Sequence, residues 1–289
     1  MRDFGRCRTA VVTGATRGIG RAVAESLARR GFRVVITSRS ISSAELAAAD
    51  IAHATGADVV ARRLELGDRD SVLRLGEELV RDETLRVVVN NAGLALRTAA
   101  STADDVEMHM AVNALGHVLL DELLLPRLCA GSAIAPTGLF GITSLSTVLA
   151  RRRRVMAAIE KPARARTAGL LPYAASKVAL HQVLRHYHQQ LTPTYRNLVV
   201  GSVYPGFVGT DIYREYGAVT ERLVRTIAAP PEATGELIAT LATCRGAEFY
   251  NGVQRPLIES GFARSPAAAT ATYEAACRRL GRTPVTERL

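Results

Sequence analysis

Short apolar runs alternate with longer amphipathic segments along the whole chain. Between the runs, segments such as 19–30 and 71–81 place apolar residues at helical spacing. Continuous apolar strands separated by helices are typical of a parallel sheet that is covered on both faces. The pattern therefore predicts an α/β protein with a doubly wound parallel sheet. Six runs rich in Val, Ile and Leu are the expected strands: 8–13, 33–37, 58–64, 86–90, 139–144 and 197–204.

Two segments interrupt this alternation. Residues 149–171 are Arg-rich and lie between the fifth strand and a helix, and residues 211–231 lie between the sixth strand and a helix that begins near Glu232. Both follow strand C-termini, where open α/β sheets bind ligands. No linker divides the chain, so we expect a single domain over residues 1–289 with an inserted loop at 149–171 and a substrate lid at 211–231.

Composition limits the class of protein. Of the 289 residues, 48% are hydrophobic and 22% are charged, which supports a sizeable core and excludes a disordered chain. No apolar run reaches the roughly 18–20 residues of a membrane span. The N-terminal residues lack the apolar stretch and cleavage site of a signal peptide. These features predict a cytoplasmic protein without a membrane span.

Metal chemistry is not expected. The four cysteines are far apart, and the pattern lacks both a CxxC pair and a histidine at ligand spacing, so neither a zinc site nor a disulfide framework is predicted. Five histidines on helical segments are interpreted as helix-face residues rather than ligands or bases. The residues concerned are Cys7, Cys129, Cys244 and Cys277, and His109, His117, His181, His186 and His188.

The formal charge of +10 raises the question of a nucleic-acid partner. Only two of the 37 basic residues are lysines, and the arginines are spread along the chain. The one dense group, Arg151–Arg154, is typical of a solvated face, so we expect no nucleic-acid partner. An alternative is that this group lies at the substrate entrance and favours anionic substrates. Residues 155–159 are expected to form an apolar turn that packs back on the domain.

A glycine-rich turn follows the first strand and opens the first helix. Residues 13–20 read Thr-Gly-Ala-Thr-Arg-Gly-Ile-Gly. Glycines permit a tight turn, and the N–H groups of a helix start bind a pyrophosphate. The spacing G-x-x-x-G-x-G differs from the general dinucleotide fingerprint G-x-G-x-x-G. The turn predicts a dinucleotide site that includes Gly14, Arg17, Gly18, Ile19 and Gly20.

Three further motifs follow in order: Asn90-Asn91-Ala92-Gly93, Tyr173-x-x-x-Lys177 and Pro205-Gly206. With the glycine turn, they resemble the short-chain dehydrogenase/reductase family over nearly the whole chain. Residues 112–120, Val-Asn-Ala-Leu-Gly-His-Val-Leu-Leu, resemble its retinol-dehydrogenase-like and carbonyl-reducing branch. The resemblance implies a Rossmann-type fold and an oxidoreductase that uses a nicotinamide nucleotide.

The end of the second strand predicts which nucleotide is used. Enzymes that prefer NAD place a carboxylate there for the ribose 2′-OH, whereas this chain has Ser38 followed by Arg39. Arg17 lies in the glycine turn, as in the NADPH-preferring members that the chain resembles. Guanidinium groups make strong contacts with a 2′-phosphate, so NADP(H) is the expected cofactor.

The resemblance also implies the remaining cofactor contacts. Glu65 and Leu66 stand where the family usually has Asp and an apolar residue beside the adenine. The turn after the fourth strand is expected to flank the ribose and the nicotinamide. The segment after the sixth strand is expected to meet the carboxamide. The residues of these two groups are Asn90, Asn91, Ala92 and Gly93, and Pro205, Gly206, Val208 and Thr210.

Carbonyl reduction requires a proton donor, and Tyr173 with Lys177 provides the candidate. Spaced by four residues at a helix start, the two side chains leave the same face. A nearby ammonium favours the phenolate and so lowers the pKa of the phenol. Ser144 aligns with the serine that orients the substrate oxygen, with Ser146 as the alternative. Asn113 matches the asparagine that, in relatives, holds a water next to the lysine; its alternative role is structural.

The predicted reaction is the reduction of a ketone or aldehyde, or oxidation of the corresponding alcohol. Two alternatives stay open: an imine or iminium substrate, and a nucleotide-binding protein without turnover. The predicted substrate surface is amphipathic, which favours a lipophilic or polycyclic small molecule from a biosynthetic pathway. Its residues are Leu94, Leu96, Ser146, Tyr213 and Tyr216.

A homodimer is expected from the same resemblance. In relatives, the helices that follow Asn113 and Tyr173 pair across a two-fold axis. Here both carry apolar stripes, although such stripes are equally suited to covering the sheet. The expected interface residues are Leu119, Leu123, Val178, Val183 and Leu184.

Overall fold

A seven-stranded parallel sheet organises the protein. The computed structural model describes residues 8–144, 149, 151–161, 169–205, 230–243, 250–251 and 261–289. The strand order is β3-β2-β1-β4-β5-β6-β7, and every pairing is parallel. The strands are β1 (Arg8–Val12), β2 (Phe32–Ser38), β3 (Val59–Arg63), β4 (Leu85–Asn90), β5 (Thr137–Ile142), β6 (Leu198–Val203) and β7 (Tyr250–Asn251). The six predicted strands are confirmed to within two residues, and the two-residue β7 was not predicted.

Helices cover both faces of this sheet, which confirms the doubly wound Rossmann-type fold. Helices α1, α2 and α8 lie on one face, and α3, α5 and α7 lie on the other. The helices are α1 (Gly18–Arg29), α2 (Ile41–Thr55), α3 (Arg69–Leu79), α4 (Met108–Met110), α5 (Gly116–Ser132), α6 (Arg152–Glu160), α7 (Leu170–Leu191), α8 (Pro231–Leu241), α9 (Gly261–Arg264) and α10 (Pro266–Leu280). A π-helical turn, Ala111–Leu115, joins α4 to α5, and a 3₁₀ turn, Val285–Glu287, follows α10.

The central strands are mostly apolar because both of their faces are buried. Along β1, Val11 belongs to the core beneath α5 and α7, while Val12 belongs to the core beneath α1. Val88 and Val89 of β4 divide in the same way. Successive side chains on a strand point to opposite faces, so a strand between two helical layers favours apolar residues at successive positions.

An outer layer covers α7 on the side away from the sheet. Helices α6 and α10 both pack on α7 and on each other. Val155 and Ile159 of α6 are fully buried, whereas Arg151–Arg154 are exposed. The predicted apolar turn within the inserted loop is confirmed as the inner face of α6, and the arginines face solvent.

The residues expected at a dimer interface lie inside the protomer. Leu119, Val178, Val183 and Leu184 are all buried, and Leu123 packs against Gly76 of α3. Helix α10 covers the part of α7 that was expected to pair with a second copy. These stripes are therefore largely covered within one chain, which was the alternative interpretation, and the homodimer itself stays a prediction.

Several predicted residues lie outside the described part of the chain. They are Ser146, Gly206, Val208, Thr210, Tyr213 and Tyr216, together with most of the predicted lid. Within the described residues, no helix combines the length and the apolar character that crossing a bilayer requires.

Candidate active site

The glycine turn lies at the C-terminal ends of β1, β2 and β4. Gly14 and Gly18 have φ values of +64° and +57°, which favour glycine. A Cβ on Gly14 would lie 2.9 Å from the Cα of Ala92, so the turn also needs glycine for close approach. The Gly14 N–H donates to Thr37 Oγ1 at 3.4 Å, which joins the turn to the end of β2. The N-terminus of α1 therefore opens at this edge, as predicted for a pyrophosphate site.

The ends of β2 and β3 bring two arginines together beside this turn, and we call this group, Ser38, Arg39 and Arg63, the basic corner. Ser38 is the last residue of β2, and Arg39 directly after it is exposed. Arg63, the last residue of β3, is the register partner of Ser38, and its Nε donates to the Arg39 carbonyl at 3.3 Å. The sequence analysis missed Arg63. The signal for it was the parallel pairing of β2 and β3, whose last residues, Ser38 and Arg63, lie side by side.

The segment after β4 is held by a helical stripe of polar side chains. Every fourth residue from 109 to 121 is polar, in a stretch that is otherwise mostly apolar: His109, Asn113, His117 and Asp121. All four are buried, and each bonds a different part of the segment or the strand end beside it. We call these four residues the polar stripe.

At one end, the stripe fixes the backbone of the predicted substrate residues. His109 Nε2 accepts from the Leu96 N–H at 2.8 Å, so the ring proton lies on Nδ1 and is donated to Glu107 Oε1 at 2.6 Å. Asn113 Oδ1 accepts from the Leu94 N–H at 2.8 Å, and its Nδ2 donates to the Leu94 carbonyl at 3.0 Å. The side chains of Leu94 and Leu96 remain half-buried at this edge.

At the other end, the stripe reaches the strand ends. His117 Nε2 lies 3.0 Å from Thr13 Oγ1, and Asp121 accepts from Asn90 Nδ2 at 3.0 and 2.8 Å. Asn90 is fully buried with its side chain turned to α5. The side chain of Asn90 therefore supports the strand end, and its contact with the cofactor stays a prediction.

The Asn91 side chain joins the turn after β4 to the glycine turn after β1. Its Nδ2 donates to the carbonyls of Thr13 and Gly14 at 2.8 and 3.0 Å. A Cβ on Gly20 would collide with that amide and would lie 2.6 Å from the Gly14 carbonyl oxygen. Gly20 is therefore needed for packing, while Ala92 and the exposed Gly93 form the surface of the turn.

Lys177 lies beneath that surface. Its side chain is 2% exposed, its Nζ donates to the Ile142 carbonyl at 2.9 Å, and burial lowers its pKa to about 8. A Cβ on Gly93 would lie 3.2 Å from both Lys177 Nζ and Asn113 Oδ1. Gly93, Asn113 and Lys177 therefore lie close together.

Tyr173 lies one turn earlier on α7. It is 5% exposed, and its ring meets the His109 ring edge-on at a centroid distance of 6.3 Å. Asn113 Nδ2 donates to Ser176 Oγ at 3.0 Å, which ties α7 to the π-helical turn. Ser144 follows the end of β5 and is half-buried. The described residues thus bring the predicted tyrosine, lysine and asparagine into one site, with the serine at the end of the neighbouring strand.

The remaining predicted contacts occupy the same sheet edge. Glu65 is half-buried and its N–H donates to Ser71 Oγ at 3.0 Å. Leu66 is buried with its carbonyl oxygen against Gly116. Pro205 is buried two residues after the end of β6. Each follows the C-terminus of its strand, and their contacts with a nucleotide stay predictions.

The arrangement fits a nicotinamide nucleotide. The turn at Gly14–Gly18 and the start of α1 provide N–H groups for phosphates. Gly93 leaves the space above Asn113 and Lys177 that a Cβ would fill. The basic corner at Ser38, Arg39 and Arg63 lies at the adenosine end of the same edge.

Comparison with known proteins agrees with this geometry. The family described as short chain dehydrogenase matches residues 8–135. Retinol dehydrogenase 11 of Mus musculus is 40% identical over 146 residues, which cover 50% of this chain and 45% of that protein. Retinol dehydrogenase 12 of Homo sapiens is 33% identical over 220 residues, which cover 73% of this chain and 67% of that protein. The chain thus spans about half to two thirds of these relatives.

A solved structure gives the same result. A metagenomic short-chain oxidoreductase, crystallised in complex with NADP, is 25% identical and superimposes with a TM-score of 0.62 over 87% of this chain and 98% of that one. Fold and site define a nucleotide-binding α/β protein with a tyrosine–lysine centre. The chain belongs to the short-chain dehydrogenase/reductase family, which confirms the resemblance predicted from its motifs.

Proposed function

We propose that this protein is an NADP(H)-dependent oxidoreductase that interconverts a carbonyl group and an alcohol on a lipophilic small molecule. One observation carries the proposal. The buried Lys177 ammonium lies at Gly93 and Asn113, one helical turn from Tyr173, at the edge that fits a nucleotide. A buried lysine is costly to maintain, so its position at a candidate site favours a catalytic role.

The chain's own residues divide the work of the reaction. A bound nicotinamide nucleotide supplies or accepts the hydride. Tyr173 donates the proton to the carbonyl oxygen, and the positive charge of Lys177 stabilises the phenolate that remains. Ser144 donates a hydrogen bond to the same oxygen as charge develops on it. Asn113 holds the Leu94 backbone and α7 so that these groups keep their positions.

The basic corner supports the choice of NADP(H). Ser38 stands where a carboxylate would repel a 2′-phosphate, and the guanidinium groups of Arg39 and Arg63 are both exposed beside it. Guanidinium groups bind phosphates through paired, charge-assisted hydrogen bonds. The related metagenomic oxidoreductase was crystallised with NADP, which agrees with this choice.

The relatives and the site both support this class of substrate. Two relatives are named retinol dehydrogenases, and retinol is a lipophilic alcohol. Leu94 and Leu96 are half-buried at the site edge, with their backbones fixed by the polar stripe. An apolar surface held rigidly beside a proton donor suits a lipophilic carbonyl compound.

Kinetics with both nucleotides test the proposal. With a panel of lipophilic ketones and aldehydes, the wild type should oxidise NADPH more efficiently than NADH. Arg39→Ala and Arg63→Ala should each raise the KM for NADPH about tenfold and leave the KM for NADH nearly unchanged, since each removes a charge-assisted bond to the 2′-phosphate. Arg74→Ala, an exposed arginine on α3, is the matched control. Equal effects on both nucleotides would contradict the NADP(H) assignment.

A further inference from the structure

Two members of the polar stripe have no place in the reaction described above. His117 and Asp121 lie one and two helical turns beyond Asn113, away from the substrate, and both are at most 1% exposed. Burying such groups is unfavourable unless they make specific bonds. The contact of His117 with Thr13 connects it to the candidate nucleotide site.

Thr13 is the link between His117 and the turn after β4. Its Oγ1 accepts from the N–H groups of Asn91 and Ala92, both at 2.9 Å. A hydroxyl oxygen has two lone pairs, so these bonds use its accepting capacity. The Thr13 proton is therefore available to donate, and its acceptors are His117 Nε2 at 3.0 Å and the Val89 carbonyl at 3.3 Å.

This arrangement fixes the state of the His117 ring. Both lone pairs of Thr13 Oγ1 are already in use, so Nε2 serves as the acceptor in this contact and a neutral ring carries its proton on Nδ1, which is buried without a hydrogen-bond partner among the described residues. Burial and the nearby charge of Lys177 lower the pKa of His117 to about 3, which agrees with a neutral ring. A protonated ring would present a second donor to Thr13 and would displace one of the backbone N–H groups.

We propose that His117 is a positioning residue for cofactor binding: its neutral imidazole orients the Thr13 hydroxyl, and Thr13 in turn holds the backbone of Asn91 and Ala92 in the shape that receives the nucleotide. Gly93, which lies against Lys177 and Asn113, follows directly in that backbone. The inference rests on the proposed function, because it assumes that this turn binds a nicotinamide nucleotide.

Variants of both partners test the link through the dissociation constant of the nucleotide. His117→Leu removes the acceptor at similar volume and should raise that constant about tenfold, the value of one lost buried hydrogen bond. His117→Gln can place an amide oxygen near the position of Nε2 and should stay within about threefold of wild type. Thr13→Ser should bind normally, whereas Thr13→Val should lose at least as much as His117→Leu.

Coupling separates positioning from general destabilisation. In the Thr13→Val background, His117→Leu should cause no further loss of affinity, because the path from the imidazole to the turn is already broken. His186→Leu is the matched control, since His186 is a buried histidine that stacks on Tyr273 at 4.3 Å, away from the nucleotide turns. That variant should lower the Tm and leave the dissociation constant unchanged.

The outcomes are distinct. Wild-type affinity in His117→Leu, equal losses in His117→Leu and His117→Gln, or additive losses in the double variant would each overturn the positioning role. If His117→Leu does not fold, the comparison of His117→Gln with Thr13→Ser and Thr13→Val decides. Affinities are compared as ratios to wild type, with whichever nucleotide the wild type binds more tightly. A preference for NADH would overturn the cofactor proposal alone, and binding of neither nucleotide would overturn both.

Discussion

Asp121 and Glu122 are adjacent on α5, yet they hold two different regions of the molecule. Asp121 points towards the sheet and bonds Asn90 at the end of β4, next to the nucleotide turns. Glu122 points towards the outer layer, where Oε1 accepts from the hydroxyls of Tyr187 and Tyr273 at 2.9 and 2.8 Å. Its Oε2 accepts from the Val285 N–H at 2.9 Å.

The two carboxyl groups differ in how well their charge is compensated. Burial raises the pKa of both, but three donors oppose the rise at Glu122. Among the described residues, the side chain of Asp121 accepts from the amide of Asn90 alone, and the neighbouring charge of Glu122 raises its pKa further. Helix α5 therefore carries two different carboxyl groups. Glu122 accepts three hydrogen bonds and holds the C-terminal layer, whereas the charge of Asp121, next to the candidate active site, is compensated by fewer donors.

The largest expected effect is confined to the reaction itself. Tyr173→Phe removes the proton donor and leaves the buried ring in place, so kcat for a carbonyl substrate should fall about 10³-fold, within the range for a lost general acid. The dissociation constant for NADPH and the free energy of unfolding should stay near the wild-type values. Steady-state kinetics measure kcat, fluorescence titration measures the dissociation constant, and urea denaturation measures the free energy of unfolding. An iminium substrate needs no proton on oxygen, so a small loss with such a substrate would favour the imine alternative.

The next largest effect breaks the outer anchor. Glu122→Leu leaves two tyrosine hydroxyls and the Val285 N–H without their acceptor, and each unsatisfied buried donor costs at least about 1 kcal/mol. We expect the free energy of unfolding to fall by about 4 kcal/mol, as measured by urea denaturation. Nucleotide affinity should change less than threefold, because the anchor faces away from the site. A comparable loss of affinity in the folded variant would show that the two regions are coupled.

Replacing Lys177 tests how much the burial of its charge costs in free energy of unfolding. The pKa of Lys177 in the fold is about 8, against 10.5 in the unfolded chain, so the unfolded state binds more protons between these values and stability rises with pH in that window. Relative to Lys177→Met, the wild type should gain about 3 kcal/mol from pH 8 to pH 10.5. Lys161→Met changes the other lysine of the chain, which is exposed, and should show no such gain. A flat difference for Lys177→Met would contradict the burial of a charged lysine.

The sequence was sufficient wherever a single element determines the pattern. Strands buried on both faces gave runs rich in Val, Ile and Leu, and the family resemblance identified Tyr173 and Lys177, whose helical spacing places them on one face of α7. The stripe of polar residues at every fourth position was equally available, since four buried polar groups in an apolar helix need partners. The stripe was not predicted, because the histidines in it were interpreted as helix-face residues.

Contacts between distant elements were not predictable in the same way. An apolar stripe on α7 looks the same in the sequence whether the sheet, α10 or a second copy of the chain covers it. The sequence alone therefore could not show that the residues named for a dimer interface are covered within one chain. Asn90 was placed by its motif, but a strand-end side chain can turn to either side of the sheet. The two residues of β7 are too few to show periodicity.

The smallest expected effect gives the sharpest contrast between the two carboxyl groups. The Asn90 Oδ1 atom is buried without a hydrogen-bond partner among the described residues. Asp121→Asn supplies an N–H that can donate to it while its own oxygen still accepts from Asn90, so the variant forms a reciprocal amide pair and removes a poorly compensated carboxyl. We expect the free energy of unfolding at pH 7 to rise by about 1 kcal/mol.

The same amide replacement at the neighbouring residue should have the opposite sign. Glu122→Gln keeps one oxygen for the tyrosine hydroxyls but turns an N–H towards the Val285 N–H, so two donors then face each other and stability should fall by about 1–2 kcal/mol. Urea denaturation of both variants at pH 7 measures the pair. Opposite signs would confirm that compensation by donors, rather than burial alone, distinguishes Asp121 from Glu122. Equal signs would mean that burial dominates at both positions.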